Sequence, residues 1–325
     1  MVHAIRVHAQ GGPEALSFET VDVGAPGPGQ VRLRHTAIGL NFIDVYHRSG
    51  LYPPPQPLPF VPGSEGVGVV EAVGDGVDDI AVGQRVGYAG PTGAYSEARL
   101  ITAERLIPIP DAIDDAIAAS VLLKGLTARY LLRQTYVVTP DTVLLFHAAA
   151  GGVGSIGCQW ASALGATVIG TAGSADKVAR ALALGCDHVI NYREEDFVAR
   201  VGEITGGERC DVVYDSVGKD TFIGSLDCLK PRGMLVSFGN SSGAVPPFEM
   251  NLLQRKGSLY ATRPTLGHYV AKRAELLASA EDLFAMIANG SIRIDAPERF
   301  KLADAAAAQT ALEERRTQGS VVLIP

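Results

Sequence analysis

The 325-residue sequence contains little cysteine, and its cysteines are widely scattered. The four are Cys158, Cys186, Cys210 and Cys228, so none stands within a few residues of another. This spacing excludes the C-x-x-C motifs of thiol redox proteins and of cysteine-rich zinc sites. The opening residues also lack the apolar core of a signal peptide. The sequence therefore predicts a reduced, cytoplasmic protein.

The sequence also lacks an excess of positive charge. It carries 28 Lys and Arg residues against 35 Asp and Glu residues, which gives a net charge of −7. This balance argues against a protein that nucleic acid or an anionic membrane holds through bulk charge. Hydrophobic residues make up 47% of the chain and charged residues 19%, which excludes general disorder and supplies material for a packed core.

Charged side chains are absent from residues 142–175, a stretch longer than the roughly 20 residues of a membrane-spanning helix. Seven glycines interrupt the stretch, and its runs VLLF and TVIG are typical of strands on either side of an alanine-rich helix. A strand–helix–strand unit that is buried on both faces of a parallel sheet explains the missing charge better than a membrane helix.

The chain divides into two regions that differ in their pattern of apolar residues and turns, and its length is that of two domains. The first 110 residues alternate short β-rich runs with Gly- and Pro-rich turns, which predicts a compact, mainly β domain. After Pro140, strand-like runs alternate with helical segments, which predicts a doubly wound parallel sheet of six strands. These strands are expected at 142–147, 167–171, 188–191, 211–215, 234–238 and 258–261, and the helices at 152–164, 175–184, 194–204 and 219–229. The segment after them, with a helix at about 268–288 and the strand-like VVLIP, is expected to return to the first domain.

The sequence FHAAAGGVGSIG, residues 146–157, follows the first of these strands and opens a helix. Within it, Ala149, Gly151 and Gly154 form an A-x-G-x-x-G pattern. Small residues at this spacing permit a tight turn and let backbone N–H groups approach a pyrophosphate at the helix N-terminus. In a domain of alternating strands and helices, the pattern predicts a dinucleotide site.

The end of the second strand distinguishes NADP from NAD. NAD sites place an Asp or Glu about 20 residues after the glycines, where it binds the ribose hydroxyls. Here that place reads Thr171, Ala172, Gly173, Ser174, and Lys177 follows one turn later. Because a 2′-phosphate favours a hydroxyl and a cation and is repelled by a carboxylate, we expect NADPH. The alternative is that Lys177 is an ordinary solvated helix residue.

A doubly wound sheet brings the ends of its first and fourth strands together, and ligands bind at that point. The turn Asp215–Gly218 ends the fourth strand, and Phe238–Ser241 ends the fifth. Val217 and Phe238 are therefore expected either to pack against the nicotinamide half of the cofactor or to belong to the core.

No metal-ligand pattern accompanies these features. The first 157 residues contain no cysteine, residues 62–66 read PGSEG where metal-dependent dehydrogenases carry G-H-E, and no histidines form an H-x-x-x-H pair. A metal-free site suits acceptors that take hydride readily. The polar candidates are Asn41, Asp44, Tyr46 and Tyr52. The tyrosine hydroxyls and the asparagine amide can hydrogen-bond a carbonyl oxygen as it gains electron density. For the tyrosines, packing beside the Pro-rich loops is the alternative.

These features lie within a resemblance that covers nearly the whole chain. It is carried by GGPEAL at 11–16, IGLNFIDVYHRSGLYP at 38–53, LLKGLTARYLL at 122–132, HAAAGGVGSIGCQWASALGA at 147–166, VINYREEDF at 189–197, VVYDSVGKDTF at 212–222, SFGNSSG at 237–243 and SLYATRP at 258–264. In these stretches the sequence resembles the zinc-free quinone oxidoreductases of the medium-chain dehydrogenase/reductase superfamily, the group similar to zeta-crystallin.

The resemblance implies an α/β protein with a GroES-like, β-rich substrate domain and a Rossmann domain whose six parallel strands are doubly wound. The substrate domain would comprise residues 1–126 and 263–325, and the NADPH-binding domain residues 127–262. The resemblance further implies a homodimer that reduces a quinone with hydride or electrons from NADPH, in a cleft between the domains.

The same resemblance implies which residues form the site. Together with Val217, the cofactor-binding set is Asn41, Tyr46, Thr127, Gly151, Gly152, Val153, Gly154, Gly173, Ser174, Lys177, Tyr192, Phe238, Gly239, Asn240, Ser241, Arg263 and Arg315. The members expected around the 2′-phosphate are Lys177, Tyr192 and Arg315. The catalytic set is Asn41, Tyr46 and Tyr52.

Three other functions remain open at this point. A reductase of α,β-unsaturated carbonyls shares the fold and also avoids zinc. Binding of AU-rich RNA is known among animal relatives similar to zeta-crystallin, but the negative charge and the lack of a basic, aromatic platform make it a secondary role at most. The third is a redox sensor that binds NADPH without turnover.

Overall fold

The computed structural model describes residues 1–54, 56–314, 316–317 and 319–325. They form two compact units. Unit 1 contains Met1–Lys124, Val270–Ala280 and Ile294–Pro325, and unit 2 contains Gly125–Tyr269 and Glu281–Arg293. The domain boundaries expected from the sequence stay a prediction.

The elements of both units are numbered along the chain. The strands are β1 (Val2–Val7), β2 (Leu16–Val21), β3 (Gln30–Leu40), β4 (Glu65–Val73), β5 (Arg85–Ala89), β6 (Ala98–Thr102), β7 (Ile107–Pro108), β8 (Val143–Phe146), β9 (Thr167–Ala172), β10 (His188–Asn191), β11 (Cys210–Asp215), β12 (Leu229–Ser237), β13 (Tyr260–Thr262), β14 (Glu298–Lys301) and β15 (Val321–Ile324). The helices are α1 (Phe42–Ser49), α2 (Asp115–Tyr130), α3 (Gly152–Ala163), α4 (Ala175–Ala183), α5 (Phe197–Ile204), α6 (Phe222–Asp227), α7 (Asn251–Arg255), α8 (Leu266–Tyr269), α9 (Arg273–Ala288) and α10 (Ala305–Glu313). Short helical turns lie at Pro13–Ala15, Ala103–Arg105, Leu131–Thr135 and Leu302–Asp304.

Unit 1 is built around the long strand β3. Antiparallel partners flank it: β4 runs beside most of its length, β6 pairs with its first half, and β15 pairs with its end at Ile38–Leu40. The full order is β14-β15-β3-β4-β5-β7, with β6 attached to β3, and β1 and β2 form a separate hairpin. Alternate side chains of β3, such as Val31 and Leu33, are fully buried in one core with Tyr88 of β5, as expected where one face of a sheet is covered.

Unit 2 contains the predicted Rossmann sheet. Its six strands are all parallel and follow the order β10-β9-β8-β11-β12-β13. This is the doubly wound order 3-2-1-4-5-6, so the fold class expected from the sequence is confirmed. The central strand β8 reads VLLF, a continuous apolar run that suits a strand buried on both faces.

The charge-free stretch 142–175 forms β8, α3 and β9, as the sequence predicts. Among the described residues, no helix combines the length and the apolar character that crossing a membrane requires.

Two predicted helices of unit 2 begin later than expected, for local reasons. Helix α5 starts at Phe197 and not at residue 194 because the Asp196 side chain caps it, accepting bonds from the N–H groups of Val198 and Ala199. Helix α6 spans Phe222–Asp227 and not 219–229. Gly218 has a φ of 93°, and its carbonyl accepts from the Thr221 N–H at 3.1 Å, so residues 218–221 form a turn and the helix starts after them.

Candidate functional site

The glycine loop between β8 and α3 is folded tightly on its own backbone. The Gly151 N–H donates to the Ala148 carbonyl at 2.8 Å, and Ala148 itself has a positive φ of 54°. A Cβ added at Gly154 would lie 2.3 Å from the Ala148 carbonyl oxygen, so only glycine fits there. The first N–H groups of α3 have no partner within the helix. The loop therefore presents backbone donors to an anion, as the sequence predicts for a pyrophosphate.

The end of β9 brings four of the expected cofactor residues together. A Cβ at Gly173 would lie 2.4 Å from the Tyr192 hydroxyl oxygen, so the tyrosine packs directly on the glycine. The Ser174 side chain caps α4 by accepting a bond from the Lys177 N–H at 3.4 Å. Lys177 is half-buried, and no carboxylate stands at residues 171–174. The third residue expected around a 2′-phosphate, Arg315, lies outside the described residues.

The ends of β11 and β12 meet through backbone contacts. The Ser241 N–H donates to the Ser216 carbonyl at 3.2 Å, and a Cβ at Gly239 would lie 2.5 Å from that oxygen. Val217 and Phe238 are both half-buried, and the Phe238 ring packs edge-on against Phe146 of β8 at 5.9 Å. The Phe238 ring thus touches the core, and both residues remain partly exposed.

The remaining expected members of unit 2 lie at the same strand ends or on α2. Asn240 packs on Gly218, since a Cβ there would lie 3.4 Å from the Asn240 Cα. Arg263 follows β13 and donates from a guanidinium nitrogen to the Ser237 carbonyl at 2.9 Å. Thr127 is half-buried near the end of α2.

Asn41 begins α1 in unit 1, and the protein engages both ends of its side-chain amide. It forms a capping box with Asp44, in which each side chain accepts from the other residue's backbone N–H. The Asn41 Nδ2 also donates to Glu65 Oε2 at 2.8 Å. The orientation of this amide is therefore fixed by α1 and by β4 together.

Glu65 and Lys124 form a buried ion pair beside Asn41. Glu65 is fully buried, and its carboxylate accepts from the Leu123 N–H at 2.7 Å and lies 3.5 Å from the Lys124 ammonium. Lys124 is itself only 8% exposed in its side chain. Buried charges of this kind are stable only when they are paired.

Asp44 is a second buried carboxyl group of unit 1. It accepts from Ser64 Oγ at 3.0 Å and from the Tyr95 hydroxyl at 3.2 Å. Burial nevertheless raises the pKa of Asp44 to about 7, because removal from water penalises the carboxylate more than these donors stabilise it.

Tyr46 and Tyr52 form an aromatic pair at the end of α1. Their ring centroids lie 5.1 Å apart, and the Tyr52 N–H donates to the Tyr46 carbonyl at 3.1 Å. Both rings are half-buried, and the partly exposed Phe42 lies 6.2 Å from Tyr46. The structure therefore brings together the three residues of the expected catalytic set, since Asn41 begins the helix that carries Tyr46.

Three polar residues beside these features were not predicted from the sequence: Glu65, Lys124 and His147. Each lies in an otherwise apolar stretch, and each is buried. A charged or polar residue in such a stretch is the signal that would have indicated a buried, partnered group. Among the described residues, no three His, Cys, Asp or Glu side chains come together as metal ligands.

Unit 1 also buries His35, which predicts a pH-dependent stability. Its Nδ1 lies 2.6 Å from the Ser96 carbonyl, and burial lowers its pKa from 6.5 to about 3. Between these values the unfolded chain binds a proton that the folded chain does not, so this histidine makes the protein less stable as pH falls. The stability deficit of His35→Asn relative to the wild type should therefore shrink by about 1.4 kcal/mol per pH unit below pH 6.5.

Urea unfolding of the wild type and His35→Asn in parallel, at pH 7, 6 and 5, measures this difference. Other titrating groups, including Asp44, are common to both proteins and cancel. A difference that stays constant over this range would show that His35 takes up a proton in the folded state.

The chain matches two family models in order. Residues 27–111 match the alcohol dehydrogenase GroES-like domain, and residues 152–278 match the zinc-binding dehydrogenase family. The first falls in unit 1, and most of the second falls in unit 2.

Full-length relatives are also similar to this chain. The quinone oxidoreductase of Pseudomonas aeruginosa is 54% identical over 326 residues, with all of both chains covered. The 2-haloacrylate reductase of a Burkholderia species is 49% identical, covering 100% of this chain and 99% of that one. Among solved structures, Escherichia coli quinone oxidoreductase complexed with NADPH superposes with a TM-score of 0.97 at 52% identity, covering 99% of this chain and 100% of that one.

Proposed function

This chain belongs to the quinone oxidoreductases of the medium-chain dehydrogenase/reductase superfamily, and on that premise we propose that it reduces quinones with NADPH, without a metal. The observation that carries the proposal is identity above half of all positions over the full length of quinone oxidoreductases. The proposed catalytic set is Asn41, Tyr46 and Tyr52.

The loops of unit 2 fit NADPH. The close approach at Gly154 and the donors of α3 suit a pyrophosphate. Gly173, Ser174, Lys177 and Tyr192 offer hydroxyl groups and a cation where an NAD site would carry a carboxylate. When bound, NADPH supplies the electrons of the reaction, as hydride or singly.

The aromatic pair of unit 1 suits a flat, carbonyl-bearing acceptor. The Tyr46 and Tyr52 rings offer an apolar surface, and their hydroxyls can donate to a quinone oxygen as it gains electron density. Asn41 is proposed to orient the reactants through its remaining amide hydrogen, since Glu65 and Asp44 fix its side chain. In this reading most of the rate enhancement comes from positioning.

Replacement of Lys177 should reduce the preference for NADPH over NADH. A charge-assisted bond to the 2′-phosphate is absent with NADH, so Lys177→Ala should lower the ratio of the two kcat/KM values by about 10- to 100-fold. Steady-state kinetics with both donors and one quinone measures this ratio.

The matched control is Lys272→Ala, which removes an 82%-exposed lysine side chain of unit 1. It should leave the ratio unchanged. An unchanged ratio for Lys177→Ala would remove Lys177 from the phosphate site and would leave NADPH binding itself in place.

A reductase of α,β-unsaturated substrates is the second candidate. The specific observation is the 49% identity to a 2-haloacrylate reductase over the whole chain. Both candidate reactions take electrons from NADPH to an electron-poor acceptor, so the fold and the donor site do not separate them.

A panel of acceptors separates the candidates. NADPH absorbance is followed with ortho- and para-quinones, an enal, and 2-chloroacrylate, with NADH as the control donor. The proposed function predicts rapid NADPH oxidation with the quinones and slow oxidation with the alkenes. The reverse pattern would assign the protein to the alkene reductases, and NADPH binding without oxidation by any acceptor would assign it to the redox sensors.

The cytoplasm and a homodimeric state are part of the same proposal. RNA binding is a secondary proposal at most, because the net charge is −7. A gel shift with AU-rich RNA, competed by NADPH, tests that role, and sedimentation analysis tests the dimer.

A further inference from the structure

A buried chain of hydrogen bonds lies directly beneath the glycine loop, and the proposed function assigns it no role. His147 follows β8 and is 1% exposed. Its Nδ1 lies 3.0 Å from Thr171 Oγ1 at the end of β9, and its Nε2 lies 3.0 Å from Ser225 Oγ on α6. One side chain thus connects the ends of two neighbouring strands to the helix that follows a third.

The partners of these hydroxyls fix the direction of each bond. Ser225 Oγ donates to Asp215 Oδ2 at 2.9 Å, so it is left to accept from His147 Nε2–H. Burial lowers the pKa of His147, which keeps the imidazole neutral with a single N–H. The Nδ1 atom therefore accepts from the Thr171 hydroxyl.

At one end, this chain of hydrogen bonds reaches Ala148 in the glycine loop. Thr171 Oγ1 accepts from the Ala148 N–H at 3.3 Å, and the Thr171 carbonyl accepts from the Ala149 N–H at 3.0 Å. Ala148 has a φ of 54°, a conformation that costs a non-glycine residue free energy and persists only when neighbours hold it. The carbonyl of the same Ala148 accepts the hydrogen bond from the Gly151 N–H.

At its other end, the chain of hydrogen bonds reaches the turn after β11. Asp215 accepts from the N–H groups of Val217 and Gly218, at 2.8 and 3.0 Å, and from Thr221 Oγ1 at 2.7 Å. These bonds hold the turn whose Val217 belongs to the expected cofactor set. The hydrogen-bond chain therefore spans the two loops that a dinucleotide would contact at the centre of the sheet.

We propose that His147 is a positioning residue for NADPH: as a neutral donor–acceptor, it locks the Thr171 hydroxyl onto Ala148 and so holds the glycine loop in its binding conformation. This inference rests on the proposed NADPH site. If it is correct, replacing His147 weakens NADPH binding, whereas replacing a residue that only packs in the core lowers stability and leaves NADPH affinity unchanged.

The test compares NADPH dissociation constants, measured by fluorescence titration, for variants that remove or keep the bond to Thr171. His147→Leu removes both bonds and should raise Kd by about tenfold. His147→Asn places an amide near the Nδ1 position and should recover Kd to within about threefold of the wild type. Thr171→Val removes the hydroxyl with little change of shape, and should raise Kd about as much as His147→Leu.

The double variant His147→Leu/Thr171→Val should have a Kd no higher than that of the single variant with the higher Kd, because both changes break the same chain of hydrogen bonds. His35→Leu is the matched control, since His35 is equally buried and also makes two bonds, to Ser96 and Tyr88 in unit 1. It should lower the melting temperature without changing Kd.

Four results would overturn the inference: an unchanged Kd for a folded His147→Leu, an unchanged Kd for Thr171→Val, an equal rise in Kd for His35→Leu, or additive effects in the double variant. Thr171→Val decides the question if His147→Leu does not fold. Failure of the wild type to bind NADPH would instead contradict the proposed function, so the two failures are distinguishable.

Discussion

Gly152→Asp is expected to abolish measurable NADPH binding. Gly152 is the first residue of α3, where the N–H groups have no partner within the helix and where a pyrophosphate is proposed to bind. A carboxylate at this position would bond to the same donors and repel the phosphates. At partly buried sites such charges interact by several kcal/mol, so Kd should rise by at least about 100-fold.

The expected loss is specific to charge and leaves the fold in place. An acidic residue in the first turn favours a helix, so the melting temperature of Gly152→Asp should not fall by more than a few degrees. Gly152→Asn, which has the same shape without the charge, should weaken NADPH binding much less. Equal losses for Asp and Asn, measured by titration of NADPH fluorescence, would show that size and not charge excludes the cofactor.

Lys124→Met is expected to destabilise the protein by about 3 kcal/mol. The substitution removes the ammonium beside Glu65 and leaves a fully buried carboxylate with only the neutral donors Asn41 Nδ2 and Leu123 N–H. An unpaired buried charge is far more costly than the pair. Urea denaturation at pH 7 measures the loss.

A double variant separates this charge effect from lost packing. Glu65→Gln/Lys124→Met carries neither charge and retains similar side-chain volumes, so it should recover at least half of the stability that Lys124→Met loses. If the double variant is as unstable as Lys124→Met, the loss comes from packing around the lysine stem and not from the unpaired buried charge of Glu65.

The Rossmann unit was predictable because each of its strands and its glycine loop is encoded by residues that are close together in the sequence. The run VLLF is apolar throughout and DVVYD is apolar at its centre, and small residues stand where the backbone must approach itself, as at Gly154. Parallel strands that are buried on both faces leave such continuous patterns in sequence. The alternation with helices then predicted a parallel sheet, and the six strands together with the glycine loop predicted the doubly wound order.

The polar contacts were not predictable because they join distant residues. Asn41 was expected at the site for its amide, but its bond to Glu65 depends on β3 and β4 lying side by side. His147 stands within a motif that was singled out for its glycines, yet its partners Thr171 and Ser225 lie 24 and 78 residues away along the chain. Side-chain hydrogen bonds of this kind leave no periodic pattern.

The antiparallel pairing of β3 with β15 has a consequence for the order of folding during synthesis. Leu40 pairs with Val321, whereas every strand of the Rossmann sheet lies between residues 143 and 262. Since domains fold as units while the chain emerges, unit 2 can acquire its complete sheet while the end of β3 still lacks its partner. Residues 38–40 are thus among the last to reach their native neighbours, and until then this end of β3 carries an open edge on which chaperones or another nascent chain can act.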